Sequence, residues 1–309
     1  MPMKRDLISL DDLSLEDIRG YLDLATHLET VPDERKLTRL PGAIMMTMFY
    51  EPSTRTRLSF EAAMCRLGGR AIGFAAADAT SVAKGESLVD TVRTVENYAD
   101  ILVIRHPKEG TARVAGEISL LPVINAGDGA NQHPSQTLLD LYTIQRLFGR
   151  IGNLKIAFVG DLKYSRTVHS LIRALIKFSH LDFVLVSPES LRLPTYLVPP
   201  PEQCMDVTFR ETQSLEEAIQ SCDLVYMTRV QRERFPDSLE FERVKDAYCL
   251  DADILQGAPS HLRIMHPLPR VNEIAYSVDR TTYASYFTQV RNGLIMRQAI
   301  LLTLLGVAP

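Results

Sequence analysis

The feature that most constrains the fold of this chain is a repeated alternation of short apolar runs with helical patterns. The apolar runs are AIMMTMF, ADILVI, LPVIN, LKIAFVGD, DFVLVS, DLVYMT and LRIM. Segments of helical pattern, such as RTRLSFEAAMCRLGG and PSQTLLDLYTIQRLF, lie between them. Because parallel strands are joined by crossovers that are usually helical, the alternation predicts βαβ units and an α/β fold with parallel sheets.

The length and one internal break suggest two domains. A chain of 309 residues is long enough for about two domains. The helical pattern that starts near Pro134 ends at FGRIGN, and a second series of strands follows it. We therefore place a domain boundary in or beside that helix. The last helical pattern, roughly residues 286 to 305, follows the second series, and the pattern alone leaves open whether it packs on the first domain.

Composition excludes several classes of protein. The chain is 46% hydrophobic and 23% charged with a net charge of −4, which suggests no nucleic-acid or anionic-membrane partner. The four cysteines are far apart and form no C-x-x-C pair, which argues against a structural zinc site and a disulfide scaffold and favours a cytoplasmic setting. The acidic N-terminal segment predicts no signal peptide, and the longest apolar stretch is too short to span a bilayer.

Polar side chains that can bind anions follow most of the predicted strands. Ligands of open parallel sheets bind outside the carboxyl ends of the strands. The side chains at these ends are mainly cationic or neutral donors: Ser53, Thr54, Arg55 and Thr56; Arg105 and His106; His133 and Gln136; Asp161 and Arg166; Arg229 and Gln231; His266 and Arg270. A single arginine at a strand end is often only solvated. The repetition over six ends predicts a crevice for small, strongly anionic ligands.

The stretch EPSTRTRLSF, residues 51–60, is the strongest of these signals. It joins a predicted strand to a predicted helix, where backbone N–H groups and the helix dipole favour an anion. Arg55 adds a planar guanidinium suited to phosphate. An ordinary N-capped helix would explain the hydroxyls of this stretch but not its arginines. We interpret it as a phosphate site; neither a Walker loop nor the G-x-G-x-x-G fingerprint of dinucleotide sites occurs in the chain.

Several motifs resemble those of a known family. STRTR, HPxQ and HPLP, in this order, resemble the transcarbamoylases, and SVAKGES, GDLKYSRTVHSL, TRVQRERF and HPLPRVNEI resemble aspartate carbamoyltransferase catalytic chains. The resemblance runs from about Leu7 to Leu305. It implies two doubly wound parallel-sheet domains with the active site in the crevice between them. Residues 1–134 with about 287–309 would bind carbamoyl phosphate, and residues 135–286 would bind L-aspartate.

The same resemblance implies the reaction and a role for each site residue. Carbamoyl phosphate and aspartate would give N-carbamoyl-L-aspartate and phosphate, a step of pyrimidine biosynthesis, without a metal or cofactor. The first-substrate residues would be Ser53, Thr54, Arg55 and Thr56 on the phosphate; Thr56, Arg105 and His133 around the carbamoyl oxygen; and Gln136 with the carbonyls of Pro267 and Leu268 on the carbamoyl NH2. The second-substrate residues would be Arg166 on the α-carboxylate and Arg229 and Gln231 on the side-chain carboxylate.

The resemblance also implies an assembly and a movement. Ser81 and Lys84 would reach into the neighbouring subunit's site, Lys84 toward both substrates, which requires a homotrimer. Glu51 would pair with Arg166, Arg232 and Arg234 when the domains close. Residues Glu109, Arg113, Glu117 and Asn131 resemble the surface that docks a separate zinc-bearing regulatory chain; the alternative is a plain charged helix face.

Three other functions are considered. An ornithine carbamoyltransferase shares STRTR and HPxQ but usually has Cys at the position of Pro267, and Arg166, Arg229 and Lys84 here favour a dicarboxylate. A non-catalytic phosphate-binding subunit would have lost donors that this chain retains. A dehydrogenase would need the missing glycine fingerprint. Ser165 stands where close relatives usually carry Gly, which we expect to be tolerated unless the position needs a positive φ.

Overall fold

The computed structural model describes residues 5–76, 84–200, 206–230, 232, 235 and 238–307. Within it, the chain separates into two compact units. The first unit comprises Met1–Tyr142 together with Arg291–Pro309, and the second unit comprises Thr143–Val290.

Helices and strands alternate along most of the described chain. The helices are α1 (Leu15–Thr30), α2 (Asp33–Lys36), α3 (Thr54–Arg66), α4 (Leu88–Val95), α5 (Thr111–Ile118), α6 (Pro134–Phe148), α7 (Arg166–Leu175), α8 (Leu215–Ser221), α9 (Ser238–Val244) and α10 (Tyr286–Leu304). The strands are β1 (Ile44–Phe49), β2 (Arg70–Phe74), β3 (Ile101–His106), β4 (Val123–Asp128), β5 (Leu154–Val159), β6 (Leu181–Val186), β7 (Val207–Thr212), β8 (Leu224–Met227) and β9 (Arg263–Met265). Short 3₁₀ helices span Leu10–Asp12, Glu189–Leu191, Thr195–Leu197 and Tyr276–Arg280.

Each unit is built on one parallel sheet. The first sheet has the order β2-β1-β3-β4, and the second has the order β7-β6-β5-β8-β9. Every pairing between these strands is parallel. The strands of the sheet centres are buried, as expected for sheets covered by crossover helices. The prediction of two parallel-sheet α/β domains is confirmed.

Two strands, β2 and β7, were not predicted from the sequence. Both lie at the edge of their sheet, and their side chains are largely exposed or half-buried. Their exposed side chains need not be apolar, so RAIGF and VTFRET carry no long apolar run. The strands at the opposite edges, β4 and β9, are buried and were predicted. The pattern that identified the central strands is therefore absent where the strand is exposed.

Side-chain caps define where several helices begin. Ser14 forms a capping box with Asp17 at the start of α1, and the side chains of Ser87 and Ser214 cap α4 and α8. Such caps satisfy backbone N–H groups that the first helical turn leaves without a partner. At the other end of α3, Gly68 has a φ of +87°, as is usual for a glycine that ends a helix.

The strand orders place one topological switch point in each sheet. In the first sheet the chain runs from β1 to β2 on one side and then to β3 on the other, so the switch lies between β1 and β3. In the second sheet, it lies between β5 and β8. Ligands of open α/β sheets bind at the carboxyl ends of the strands flanking such a point. The segments after β1, β3, β5 and β8 are therefore the first places to look for a site.

Neither a membrane-spanning helix nor a candidate metal cluster is found in the described residues. None of their helices combines the length and the apolar character that crossing a lipid bilayer requires. Their His, Cys, Asp and Glu side chains form no group of three or more that could hold a metal ion.

Candidate active site

The loop after β1 leads directly into α3. Ser53 is the N-cap residue of α3 and has extended backbone angles, but its side chain makes no capping hydrogen bond. Its hydroxyl is therefore not used to satisfy the helix, unlike that of Ser14. Thr54 and Arg55 are exposed in the first turn of α3, while Thr56 is buried. This arrangement combines the positive end of a helix dipole with hydroxyl and guanidinium donors, as a phosphate site requires.

The two arginines of STRTR have different surroundings. Arg57 Nε donates to Glu61 Oε1 at 2.7 Å, one helical turn away on α3. Its charge is thus engaged by a carboxylate on its own helix. Arg55 is exposed in the first turn of the same helix, where an anion at the helix N-terminus would lie.

Arg105 lies at the end of β3, beside the end of β1. Its Cα pairs with that of Phe49 in the sheet register, and its side chain is only 8% exposed. Nη2 donates to Glu51 Oε1 at 2.9 Å, and Nη1 donates to the Ala126 carbonyl at 3.2 Å. The Nε group is buried and has no acceptor among the described residues. The two hydrogen bonds hold the guanidinium of Arg105 in place and leave it further N–H donors, Nε–H among them, for a ligand oxygen.

His133 and Gln136 occupy the start of α6. The His133 carbonyl accepts hydrogen bonds from the N–H groups of Gln136 at 2.9 Å and Thr137 at 3.2 Å, so the residue caps the helix through its backbone. Its side chain is buried. Gln136 Nε2 donates to Asp140 Oδ1 at 2.9 Å. Because a carboxylate can only accept, this bond fixes the amide with Oε1 on its other side, where it can accept from a ligand N–H.

A buried arginine supports this arrangement from α10. The Arg297 side chain is fully buried, and burial lowers the pKa of its guanidinium to about 10, opposed by the charge of Asp140. Nη1 donates to Ser59 Oγ at 3.0 Å, and the guanidinium lies 5.1 Å from the centre of the Phe60 ring. Ser59 and Phe60 belong to α3, and Asp140 belongs to α6. Arg297 thus links the two helices that carry the STRTR and HPxQ motifs.

In the second unit, the loop after β5 carries Asp161 and leads to Arg166. Gly160 has a φ of +111°, and a Cβ at this position would lie 2.4 Å from the Thr228 carbonyl oxygen. The glycine of the VGD segment therefore permits close packing of β5 against the end of β8. Asp161 is buried, and its Oδ1 accepts the Tyr164 N–H at 2.9 Å, which shapes the loop. Arg166, the first residue of α7, is buried.

Ser165 precedes Arg166 as the N-cap residue of α7. Its φ is −78°, so this position does not require a glycine. The expectation that serine is tolerated there agrees with this backbone angle. On the other side of the switch point, Arg229 follows β8 and is half-buried. Arg166 and Arg229 therefore follow the two strands that flank the switch point of the second sheet.

The HPLP segment follows β9 and is organised by a buried pair. His266 Nε2 lies 2.7 Å from Glu273 Oε1, and the Leu268 N–H donates to His266 Nδ1 at 2.7 Å. Burial lowers the pKa of His266, and the hydrogen bond to Glu273 opposes this shift. Leu268 has a φ of +53°, which is unusual for a residue with a side chain. Pro267 and Leu268 are half-buried.

Some predicted residues are placed at the surface, and three lie outside the described residues. Lys84 and Arg232 are exposed. Ser81, Gln231 and Arg234 lie outside the part of the chain that the structure describes.

The residues suggested for docking a second chain are at the surface of the first unit. Glu109, Arg113, Glu117 and Asn131 are all exposed. Three of them are already engaged within the first unit. Arg113 Nη2 forms an ion pair with Asp12 Oδ2 at 2.7 Å, Glu109 Oε1 accepts the Ala130 N–H at 3.2 Å, and Asn131 Nδ2 donates to Asp128 Oδ2 at 3.1 Å. Val114 and Leu120, on or beside α5, are 42% and 77% exposed. The face therefore combines fixed charges with exposed apolar side chains.

The sequence analysis missed four side chains that support the site: Asp140, Arg297, Glu273 and, in its supporting role, His266. A sequence signal existed for the first two, since Asp140 and Arg297 are lone charges within the apolar stretches LLDLY and LIMRQAILL. A charge in such a stretch is seldom buried without a partner. Glu273, in RVNEIAY, gives no comparable signal because it lies in a short mixed stretch, with Arg270 and Asn272 on one side, rather than within an apolar run.

Comparisons with known proteins agree over nearly the whole chain. Residues 5–146 match the family profile described as aspartate/ornithine carbamoyltransferase, carbamoyl-P binding domain, and residues 152–304 match its Asp/Orn binding domain. The chain is 54% identical over 306 residues to the aspartate carbamoyltransferase catalytic subunit of Thermococcus onnurineus, covering 98% of this chain and 97% of that one. The corresponding protein of Clostridium perfringens is 49% identical over 308 residues, with full coverage of both chains.

Solved structures show the same similarity. The catalytic subunit of aspartate transcarbamoylase from Methanocaldococcus jannaschii superposes with a TM-score of 0.89 at 51% identity, covering 97% of this chain and 98% of that one. Aspartate transcarbamoylase from Trypanosoma cruzi, in complex with N-(phosphonacetyl)-L-aspartic acid, superposes with a TM-score of 0.86 at 37% identity, covering 96% and 94%.

Proposed function

Because this chain belongs to the aspartate/ornithine carbamoyltransferase family, we propose that it transfers the carbamoyl group of carbamoyl phosphate to the amine of L-aspartate. The products are N-carbamoyl-L-aspartate and phosphate, a step of pyrimidine biosynthesis. The observation that carries the choice of second substrate is the pair Arg166 and Arg229, which follow the strands flanking the switch point of the second sheet. Two guanidinium groups suit the two carboxylates of aspartate rather than the cationic side chain of ornithine.

The first unit supplies the groups for carbamoyl phosphate. Ser53, Thr54, Arg55 and Thr56 hold the phosphate at the start of α3, and Ser81 and Lys84 of a neighbouring subunit complete its surroundings. Thr56, Arg105 and His133 hold the carbamoyl oxygen. The carbamoyl NH2 donates to Gln136 Oε1 and to the carbonyls of Pro267 and Leu268. The fixed orientation of the Gln136 amide, with Nε2 on Asp140, supports its role as an acceptor.

The second unit supplies the groups for aspartate. Arg166 binds the α-carboxylate, Arg229 and Gln231 bind the side-chain carboxylate, and Lys84 of a neighbouring subunit approaches the same substrate. Glu51 leaves its ion pair with Arg105 and engages Arg166, Arg232 and Arg234 once both substrates are bound.

The chemical step follows from these contacts. The aspartate amine attacks the carbamoyl carbon, and negative charge grows on the carbamoyl oxygen. Donors already aimed at that oxygen lower the barrier, and removing one such donor costs about 2.7–4 kcal/mol in comparable enzymes. The departing phosphate takes the proton released by the amine. Much of the remaining acceleration comes from holding two anions together in attack geometry.

We further propose that the active assembly is a homotrimer, because Lys84 acts in a neighbouring subunit. Support comes from exposed apolar side chains at and near the β2 edge of the first sheet: Leu37, Leu58 and Ile72 are 51%, 57% and 42% exposed. The face with Glu109, Arg113, Glu117 and Asn131 is proposed as the docking surface of a zinc-bearing regulatory chain. Exposed Leu120 beside these charges supports this role.

A paired assay tests the proposed function. The purified chain is given carbamoyl phosphate with either L-aspartate or L-ornithine in the presence of EDTA, and ureido product is measured. We expect product with aspartate alone. Product with ornithine alone would contradict the roles given to Arg166 and Arg229. A folded chain that binds carbamoyl phosphate but forms no product with either amine would instead be a binding subunit.

A further inference from the structure

The segment from His266 to Glu273 is organised by the buried side chains at its two ends, to which the proposed function assigns no contact with substrate. His266 is 1% exposed and Glu273 is 7% exposed. They bridge the start and the end of the segment through the contact of 2.7 Å between Nε2 and Oε1. The other Glu273 oxygen, Oε2, accepts the N–H groups of Val271 at 3.0 Å and Asn272 at 3.1 Å. The pair therefore holds backbone on both sides of the turn that contains Pro267 and Leu268.

The hydrogen bonds determine which imidazole nitrogen carries the proton. Nδ1 accepts the Leu268 N–H, so in this arrangement it has no proton of its own. Nε2 faces a carboxylate oxygen of Glu273, which can only accept, so Nε2 carries the proton and donates. Burial lowers the pKa of His266 and favours the neutral ring. The charged groups acting on the ring are Glu273, Arg270 and Arg229, and the His266 N–H donates to Gln289 Oε1 at 3.0 Å.

This tautomer has a consequence for the neighbouring peptide group. The Leu268 N–H and the Pro267 carbonyl belong to the same planar, trans peptide unit, in which the two bonds point in opposite directions. Because the N–H points at the buried imidazole, the Pro267 carbonyl must point away from it. The φ of +53° at Leu268 is an unfavourable conformation for a residue with a side chain and requires support from its surroundings. The bond to Nδ1 supplies part of that support.

We propose that His266 and Glu273 are positioning residues that hold the Pro267 carbonyl in the direction needed to accept a hydrogen bond from the carbamoyl NH2. This inference rests on the proposed function, in which that carbonyl contacts the substrate. Glu273 fixes the tautomer, and the tautomer fixes the peptide plane. If Nδ1 carried a proton, two donors would face each other and the peptide unit would rotate.

Two substitutions at one position separate this role from a structural one. In His266→Asn, the amide oxygen can replace Nδ1 as the acceptor of the Leu268 N–H, although the contact with Glu273 is lost. In His266→Gln, the longer side chain can reach Glu273 but does not place an acceptor where Nδ1 lies. Both variants lose the packing of the buried imidazole ring, so we expect both to have a lower melting temperature than the wild-type chain. We expect His266→Gln to lower kcat by about 100-fold, the loss typical of a misplacement of roughly 1 Å, and His266→Asn to lower it much less.

A matched control is His169, a half-buried histidine of the second unit. Its Nε2 lies 2.8 Å from the Leu162 carbonyl, and among the described residues it forms no hydrogen bond with a residue proposed to bind substrate. His169→Asn and His169→Gln should both lower the melting temperature, and the two variants should have the same kcat. Equal loss of kcat in His266→Asn and His266→Gln, in proportion to lost stability, would overturn the positioning role.

A measurement on the wild-type chain keeps the inference testable if the variants fail to fold. Nitrogen-15 NMR of histidine-labelled protein at pH 7 should show His266 as a neutral ring protonated on Nε2. A ring protonated on Nδ1, or a cationic ring, would overturn the inference. Failure of the proposed function would give a different result. In that case the wild-type chain would not carbamoylate aspartate, whichever nitrogen of His266 carries the proton.

Discussion

Glu51 and Arg105 form an ion pair of 2.9 Å between groups that the proposed reaction uses separately. The Glu51 carboxylate is therefore paired with the same guanidinium that would hold the carbamoyl oxygen. In Glu51→Gln, Arg105 loses this competing charge, so binding of carbamoyl phosphate should be preserved or slightly tighter. The arginines that Glu51 would engage later lose a charged partner, so we expect KM for aspartate to rise roughly tenfold or more. Steady-state kinetics with each substrate varied will measure both effects; equal weakening of the two substrates would contradict the role in closure.

Arg55 and Arg57 allow a comparison between two arginines on one helix. Arg55→Ala should lower affinity for inorganic phosphate by about 10- to 100-fold, the usual cost of removing a hydrogen bond to a charged group. Arg57→Ala removes only the contact with Glu61 and should leave phosphate affinity close to wild type. Isothermal titration with phosphate distinguishes them. A similar loss in both variants would mean that the charge of α3 as a whole, rather than Arg55, attracts the anion.

The sequence identified the polar residues that end each central strand, because strand ends are marked by the change from apolar to polar residues. It did not show the contact of Arg57 with Glu61, since that contact depends on the helical phase of α3 as well as on the spacing of the two residues. It also did not show the ion pair of Glu51 with Arg105, whose positions lie 54 residues apart. Such a contact depends on the parallel pairing of β1 with β3, which the pattern of a single strand does not specify.

At the scale of elements, two serines at helix N-caps have opposite roles. Ser14 caps α1 through its hydroxyl, whereas Ser53 precedes α3 without a capping bond. We expect Ser14→Ala to destabilise the protein by about 1 kcal/mol without changing catalysis. Ser53→Ala should leave the melting temperature unchanged and lower phosphate affinity about tenfold. Thermal unfolding and phosphate titration of both variants check this; a stability loss in Ser53→Ala would show a capping role instead.

Arg297 ties α10 to the two helices of the proposed phosphate and carbamoyl sites. Replacing it with methionine removes the hydrogen bond to Ser59 and the positive charge that acts on buried Asp140. Removing one partner of a buried charge pair typically costs about 3–5 kcal/mol. We expect Arg297→Met to lower the unfolding midpoint strongly. The double variant Asp140→Asn with Arg297→Met should be less destabilised than the sum of the single variants. Each single variant leaves one buried charge without its partner, whereas the double variant removes both charges. Additive losses in denaturant unfolding would show that the two residues do not interact.

The elements that the sequence failed to reveal share a physical property. β2 and β7 pair on one side only and are exposed, so their residues need not be apolar. The central strands β1, β3, β5 and β8 are buried on both faces and were recognisable from their apolar residues alone. Burial on both faces thus decides which parts of a parallel sheet can be predicted from one sequence.

At the scale of the whole molecule, the proposed trimer predicts recovery of activity from two inactive variants. Lys84→Ala and Arg55→Ala should each be inactive alone, because Arg55 acts in its own subunit and Lys84 acts in a neighbour. The two variants are mixed, unfolded together and refolded, so that mixed trimers form. In these trimers a Lys84→Ala chain supplies Arg55 and its Arg55→Ala neighbour supplies Lys84, which completes a native site. Random mixing should restore roughly a quarter of the wild-type activity, since a mixed trimer has one native site.

The control is a mixture of the same chains that have not been unfolded, in which subunits do not exchange. When Ile72→Glu is added to both the Lys84→Ala and the Arg55→Ala chains, refolding the mixture should not restore activity. The added charge disrupts the exposed apolar edge at β2 through which subunits would assemble. Mixtures that stay inactive after refolding, although light scattering shows trimers, would contradict sharing of Lys84 between subunits.

The first unit takes its last helix from the far end of the chain, and this order has a consequence for protein synthesis. The residues of α3 and α6 leave the ribosome early, whereas Arg297 follows only after the whole second unit has been translated. Domains fold largely as units while the chain emerges, so the first unit is completed last. A stalled or truncated chain would therefore lack a finished anion-binding unit. Incomplete translation products would not sequester carbamoyl phosphate from the complete enzyme.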